Sequence, residues 1–177
     1  MKIREAGEQD LDKVLFIERK AFGEVDEANL VRDLLIDPSA QPVLSLLAWE
    51  QEQAVGHILF TSVSLDTYPE AGLAILAPLA VIPEKQNRGI GGQLIKQGLA
   101  LLGDSACELV FVLGYPDYYS RFGFRPAGKL GFDAPYPIED KNADAWMVCE
   151  LKPGSLERLQ GTIQCAKVLD KEEYWRE

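Results

Sequence analysis

The chain has 177 residues, close to the length of one domain, and its 47% hydrophobic and 26% charged composition excludes collagen-like, disordered and disulfide-scaffold classes. Its longest uncharged apolar-rich run, residues 71–83, holds 13 residues, short of the roughly 18 that a bilayer-crossing helix needs. Eighteen basic against 28 acidic side chains give a net charge of −10, which opposes binding to nucleic acid or to anionic membranes.

Met1-Lys2-Ile3-Arg4-Glu5 carries no apolar stretch of the secretory type, so a cytoplasmic location is expected. The charge is uneven along the chain. Residues 78–101 hold Lys85, Arg88 and Lys96 against Glu84, and residues 114–130 hold Arg121, Arg125 and Lys129 against Asp117. These windows are +4 together and the remainder is −14, so an anion-binding site is expected to be built from them. Cys107, Cys149 and Cys165 form no C-x-x-C pair and meet one histidine, His57, so zinc-ligand spacing is absent and no metal is expected. Each cysteine lies in or beside a strand-like run and reads as a small buried hydrophobe.

In chain order, residues 2–4 start a strand, and Asp10 precedes an apolar series at Leu11, Val14, Leu15, Ile17, Ala21 and Phe22 with helical spacing, which it is expected to cap. An acidic loop over residues 23–27 leads to a second helix from Asp26 through Leu35, stopped at Asp37-Pro38. Residues 43–49 and 55–65 read as a hairpin whose second arm, apolar on both faces, belongs in the interior. Residues 73–82 form another long strand, in which Pro78 cannot donate a ladder hydrogen bond, so an interruption or bulge is expected there.

From Gly89 the spacing of Ile90, Leu94, Ile95, Leu99 and Leu102 is helical, with Gly103 as the expected terminator. Residues 108–114 then form an apolar strand, giving a right-handed crossover between parallel neighbours. A short helix over residues 117–121, a strand over 127–132, a strand over 145–151, a helical turn over 153–160 and a closing strand over 162–166 complete the reading. The fold class is therefore α/β with a mixed sheet.

The informative segment runs from Leu76-Ala77-Pro78-Leu79-Ala80-Val81-Ile82-Pro83 into Glu84-Lys85-Gln86-Asn87-Arg88-Gly89-Ile90-Gly91-Gly92. A strand feeds a glycine-rich turn at a helix start, where orphan amides and the positive end of the helix dipole suit a phosphate-bearing ligand. No Lys-Ser or Lys-Thr follows, which rejects the Walker form, and Leu94 stands where the dinucleotide form needs its third glycine.

Gln86-Asn87-Arg88-Gly89-Ile90-Gly91 resembles the Q/R-x-x-G-x-G/A signature of the GNAT superfamily of acyl-CoA-dependent N-acetyltransferases. Tyr118-Tyr119-Ser120-Arg121-Phe122-Gly123-Phe124 is similar to the short helix and G-F turn that follow that family's fifth strand. The Leu-Gly-Tyr-Pro-Asp-Tyr-Tyr run and the Glu-Leu-Lys-Pro-Gly segment resemble its YhbS-like branch. The resemblance covers residues 1–151, leaving residues 152–177 as an extension expected to pack on the same domain.

It implies acetyl-CoA as co-substrate. Its pyrophosphate would lie on the amides of Gln86, Asn87, Arg88, Gly89, Ile90, Gly91 and Gly92, with charge from Arg88. Its pantetheine arm would lie along the main chain of Leu79, Ala80 and Val81, one N–H of which would serve as oxyanion donor.

It also implies direct attack by the amine of a small molecule, amino acid or peptide. Tyr119, whose phenol keeps its proton at neutral pH, would protonate the leaving thiolate, with Tyr118 as the alternative. Removing the proton of a lysine-like amine at neutral pH costs about 4.6 kcal/mol, against about 1 kcal/mol for an α-amine, so a base matters most for the former. Relatives often carry a glutamate on the fourth strand for this, but residues 73–81 hold no acid here. Glu24, Asp26, His57 or a water chain remain as candidates. His57 reads first as a satisfied core residue, and the acidic loop as solvated helix-start charge. A silent acyl-CoA-binding module and an unrelated nucleotide-binding domain are the alternative readings, and the sequence leaves monomer or homodimer open.

Overall fold

The computed structural model describes residues 1–176. Among the described residues, nine strands share one sheet system. β1 (Lys2–Glu5), β2 (Leu44–Glu50), β3 (Gln53–Leu65) and β4 (Leu73–Val81) run antiparallel in chain order; β5 (Leu109–Leu113) lies parallel to β4, and β8 (Trp146–Glu150) and then β6 (Arg125–Pro126) follow antiparallel. β7 (Phe132–Asp133) pairs with β9 (Gly161–Gln164), which continues onto the end of β3.

Alternation along β3 places the helices. A Cβ on Gly56 would meet Leu94 at 3.0 Å and Ile90 at 3.1 Å, so that side of the strand faces α3 (Ile90–Asp104). The next residue, His57, points to the opposite face and bonds Glu18 of α1 (Leu11–Phe22). α1 and α3 therefore cover opposite faces, with α2 (Asp26–Ile36) packed on α1. Both faces of β3 are buried, as its two-sided apolar pattern requires. Phe60, Phe111, Phe124 and Phe132 are fully buried in the core, each side chain stabilising by about 1.5–3 kcal/mol relative to exposure.

Three local expectations change. Asp10 does not cap α1; its carboxylate instead accepts from the Gly7 amide at 2.8 Å and from Arg4 at 2.9 Å. α3 runs through Gly103 to Asp104, and the left-handed residue that turns the chain is Ala106, φ 69°. Residues 127–132 do not form one strand, because the chain turns in a 3-10 helix, Gly128–Leu130, and reverses at Gly131, φ 95°, leaving the two-residue strands β6 and β7 on either side.

Residues beyond β8 are tied back by polar and aromatic contacts. Asp37, just past α2, accepts from Ser39 N at 2.9 Å, Ser39 Oγ at 2.7 Å and Val168 N at 3.1 Å. Trp175 is buried, sets its ring edge on Trp146 with centroids 5.7 Å apart, and donates to Leu169 O at 3.0 Å.

The Ser39 hydroxyl holds the Asp37 carboxyl below its ordinary value, and Arg4 does the same for Asp10. A lowered folded value means that the unfolded chain binds protons first. The stability from these carboxylates is complete above the ordinary value of about 3.9 and is lost as pH falls through their lowered values. Asp37→Asn should cost about 1–3 kcal/mol at neutral pH and make the acid-side decline of the urea midpoint shallower. An unchanged midpoint and slope would remove Asp37 as the tie between α2 and the C-terminal residues.

Candidate functional site

β4 and β5 are paired only over Leu73, Ala74 and Ile75, opposite Leu109, Val110 and Phe111. Beyond that point β5 stays with β8 while β4 stays with β3, so the two strands part. The bulge expected at Pro78 is present: Ile58 pairs with Leu79 and Phe60 with Leu76, which sets Ala77 and Pro78 against Leu59 alone.

Past the bulge the ladder resumes, and Ile82 N donates to Val55 O at 3.0 Å. Bonded and non-bonded pairs alternate in an antiparallel ladder. Ala80 therefore turns its main-chain groups to His57, whereas those of Leu79 and Val81 face the gap. The Gln86 side-chain amide donates to Val81 O at 2.9 Å, in keeping with that direction.

The gap leads to the start of α3. Gln86 N is satisfied by Pro83 O and Gln93 N by Gly89 O. Among the described residues, the six amides between them, from Asn87 to Gly92, have no main-chain acceptor. Asn87 (φ 64°) and Gly89 (φ 81°) take left-handed backbone that curves these donors into a nest before the helix. Six free amides at a helix N-terminus attract an anion without side-chain charge.

A cleft of about 1020 Å³ joins the nest to the gap. Its walls include Leu79, Val81, Gln86, Asn87, Gly89, Ile90, Gly91, Gly92 and Tyr119, all singled out from the sequence. Two others do not line it. Ala80 is buried on the far face of β4, and Arg88 lies toward the β2–β3 hairpin beside Glu50, Glu52 and Gln53. Lys96 and Arg121 bring positive charge to the cleft instead; both stand in the two windows of positive charge, which was the signal available for them. Lys85 also lines the cleft but bonds Glu50 at 2.9 Å.

The opposite wall is aromatic. A Cβ on Gly114 would run into Tyr119 Cε2, so the ring rests directly on the end of β5. Tyr119 is 8% exposed, and burial raises its phenol well above the ordinary value. Tyr118 sets its ring edge against Tyr119, centroids 5.1 Å apart, and Arg121 lies over its outer face. Its hydroxyl sits 2.8 Å from where a Gly91 Cβ would be, so a side chain there would have to displace the tip of the Tyr118 ring. Burial raises Tyr118 as well, opposed by Arg121. Both tyrosines thus line the cleft, and Tyr115 stands exposed at its rim.

His57 is fully buried, with Nδ1 2.6 Å from Glu18 Oε2 and Nε2 2.8 Å from Ser45 Oγ. It is a satisfied core residue of β3, on the face opposite α3. Burial raises the Glu18 carboxyl, partly offset by His57.

Burial pushes each of Cys107, Cys149 and Cys165 up to about 11. Thiolate is therefore scarce at neutral pH, which disfavours a covalent cysteine intermediate.

Residues 2–127 match the family described as Acetyltransferase (GNAT) domain. The chain is 47% identical over 159 residues to the uncharacterized N-acetyltransferase YjhQ of Escherichia coli K12, covering 89% of this chain and 87% of the relative. Its fold is similar to the crystal structure of Escherichia coli YhbS, a GNAT family N-acetyltransferase in complex with CoA. The TM-score is 0.87 and the identity 28%, covering 96% of this chain and 92% of the other. A GNAT family acetyltransferase of Brucella melitensis in complex with acetyl-CoA is also similar, with TM-score 0.76 and 28% identity, covering 96% of this chain and 97% of the other.

In the folded protein at neutral pH, modification by an aromatic disulfide should be slow at all three cysteines. A thiol near 11 holds about 300-fold less thiolate than one near 8.5. The rate should climb until pH approaches 11 and rise at once on unfolding. A thiol that reacts at the rate of a free cysteine would reopen covalent catalysis.

Proposed function

The chain belongs to the GNAT acetyltransferase family, and from that premise we propose that it moves an acetyl group from acetyl-CoA to a primary amine by direct attack. The observation that carries this reading is the continuity of two sets of unpaired main-chain groups. The open edge of β4 at Leu79 and Val81 runs into the six free amides before α3. A long, slender ligand with a pyrophosphate at one end and a peptide-like arm at the other satisfies both sets at once. Amides from Asn87 to Gly92 take the pyrophosphate, Leu79 and Val81 pair with the arm like an added strand, and Lys96 and Arg121 add charge for the remaining phosphate.

Acetyl-CoA supplies an activated thioester. A free β4 amide donates to the thioester oxygen as charge builds there, the role of an oxyanion donor. The N–C bond forms as the C–S bond breaks; the amine gives one proton to solvent water, the sulfur gains one, and the group that supplied it is reprotonated from solvent. Tyr119 is proposed as the source of the sulfur's proton. The phenol is the weaker acid of the pair by about 1.5 units, so the transfer is uphill by about 2 kcal/mol, and burial, which raises a phenol and a neighbouring thiol alike, does not by itself widen that gap. Residues 152–176 complete the same folding unit in this reading, since β9 extends the sheet at β3.

Calorimetry with CoA and thiol release from acetyl-CoA over a panel of amines test the reading together. Tyr119→Phe should slow transfer by about 100-fold or more while leaving CoA affinity within about twofold; equal turnover in both proteins would remove the acid role. Gly91→Val, which forces a side chain onto the Tyr118 hydroxyl, should abolish the heat of CoA binding without unfolding the chain. Undiminished CoA binding in that variant would place the ligand elsewhere.

A further inference from the structure

One polar cluster of the interior takes no part in the transfer described above. Ser45 on β2 and His57 on β3 are diagonal neighbours, since Leu47 stands opposite His57 and Leu59 opposite Ser45, and both side chains therefore project to the α1 face. There the Ser45 hydroxyl lies 2.8 Å from His57 Nε2, while Nδ1 across the ring lies 2.6 Å from Glu18 Oε2. A hydroxyl, an imidazole and a carboxylate joined in that order are the parts of an activated nucleophile. The carboxylate holds the ring proton on Nδ1, which leaves Nε2 to accept from the hydroxyl.

Burial sets the direction of this chain. His57 and Glu18 are fully buried, whereas Ser45 keeps part of its surface exposed where β1 ends. The end of the chain that meets solvent is therefore the hydroxyl. At the other end Glu18 Oε1 has no hydrogen-bond partner. A buried carboxylate short of partners gains most when the group beside it becomes positive. Passing the Ser45 proton to Nε2 makes His57 that positive group, which favours attack by the hydroxyl oxygen on an acyl carbon.

The main chain limits what such an attack can achieve. β2 is bonded to β1 on one side and to β3 on the other, and Ser45 O already accepts from Ala6 N at 2.9 Å. Amides around Ser45 thus go to the ladders rather than to an oxyanion, so an acyl donor must bring its own activation. Partial exposure also requires the donor to be small.

We propose that Ser45 is an acylation site, whose hydroxyl takes the acyl group of a small activated ester. Oγ bonds to the acyl carbon as the bond from that carbon to the departing oxygen breaks. The Ser45 proton passes to His57 Nε2 and from there to the departing oxygen, which leaves as its alcohol or phenol, and the product is an ester on Ser45. Ser45 is not among the walls of the cleft beside α3, so this site stands apart from the transferase reading.

The test is exposure of the folded protein to p-nitrophenyl acetate, with the acetylated residues and their rates read by peptide mass spectrometry. Ser120 is the internal control, an exposed serine whose hydroxyl bonds a main-chain carbonyl, Asp117 O, at 3.4 Å. Ser45 should be acetylated at least about 100-fold faster than Ser120, the lower end of what a positioned base contributes, and hydroxylamine should remove the label. In denaturing urea the two serines should react alike. Glu18→Gln and His57→Gln should each bring Ser45 down toward the rate of Ser120. Equal labelling of the two serines in the folded wild-type protein would overturn the proposal without recourse to any variant, and so would a preference for Ser45 that persists in urea or in folded His57→Gln protein.

Discussion

The parting of β4 from β5 is the constraint on which the rest of the site depends. Parallel pairing lasts for only three residue pairs, after which each strand keeps its antiparallel neighbour on the outer side. A gap in the middle of a sheet is ordinarily unfavourable, because it strips main-chain groups of partners while the core around them stays dry. Here the Pro78 bulge changes the register of β4, and the Tyr119 ring lies against Gly114 at the end of β5. The strands are held apart by packing on both sides, and what remains between them is an edge with the chemistry of a strand and the shape of a slot.

That arrangement explains how a chain of net charge −10 can recruit a polyanion. Main-chain amides carry their partial charge whatever the side chains do, and the left-handed residues Asn87 and Gly89 aim them inward. Bulk repulsion between surface acids and a phosphate is screened within about 8 Å at physiological salt, whereas the nest acts at contact distance.

The buried Glu18–His57–Ser45 chain links α1 to β3 and β2 by contacts of 2.6 Å and 2.8 Å. Burying a carboxyl and an imidazole is costly unless each is paired, and Glu18 keeps one oxygen unpaired. The cost is borne where α1 crosses the sheet, so this helix is anchored to β3, the ladder partner of the strand that borders the slot.

Much of this was legible in the chain itself. Helical spacing set α1, α2 and α3, two-sided apolar runs set β3, β4 and β5, and the proline in β4 announced its bulge, because these follow from local periodicity and from the missing N–H of proline. The Gln86 to Gly92 turn and the Tyr118 to Phe124 segment marked the family and most of the cleft wall. Local pattern could not say that Ala80 turns away while Leu79 and Val81 face the gap, since that depends on the register against β3. Nor could it say that Arg88 leans to the hairpin while Lys96 and Arg121 enter the cleft, or that Glu18 meets His57 across 39 positions of sequence. Direction, pairing and burial are properties of what packs on the other side, and only the tertiary structure decides them.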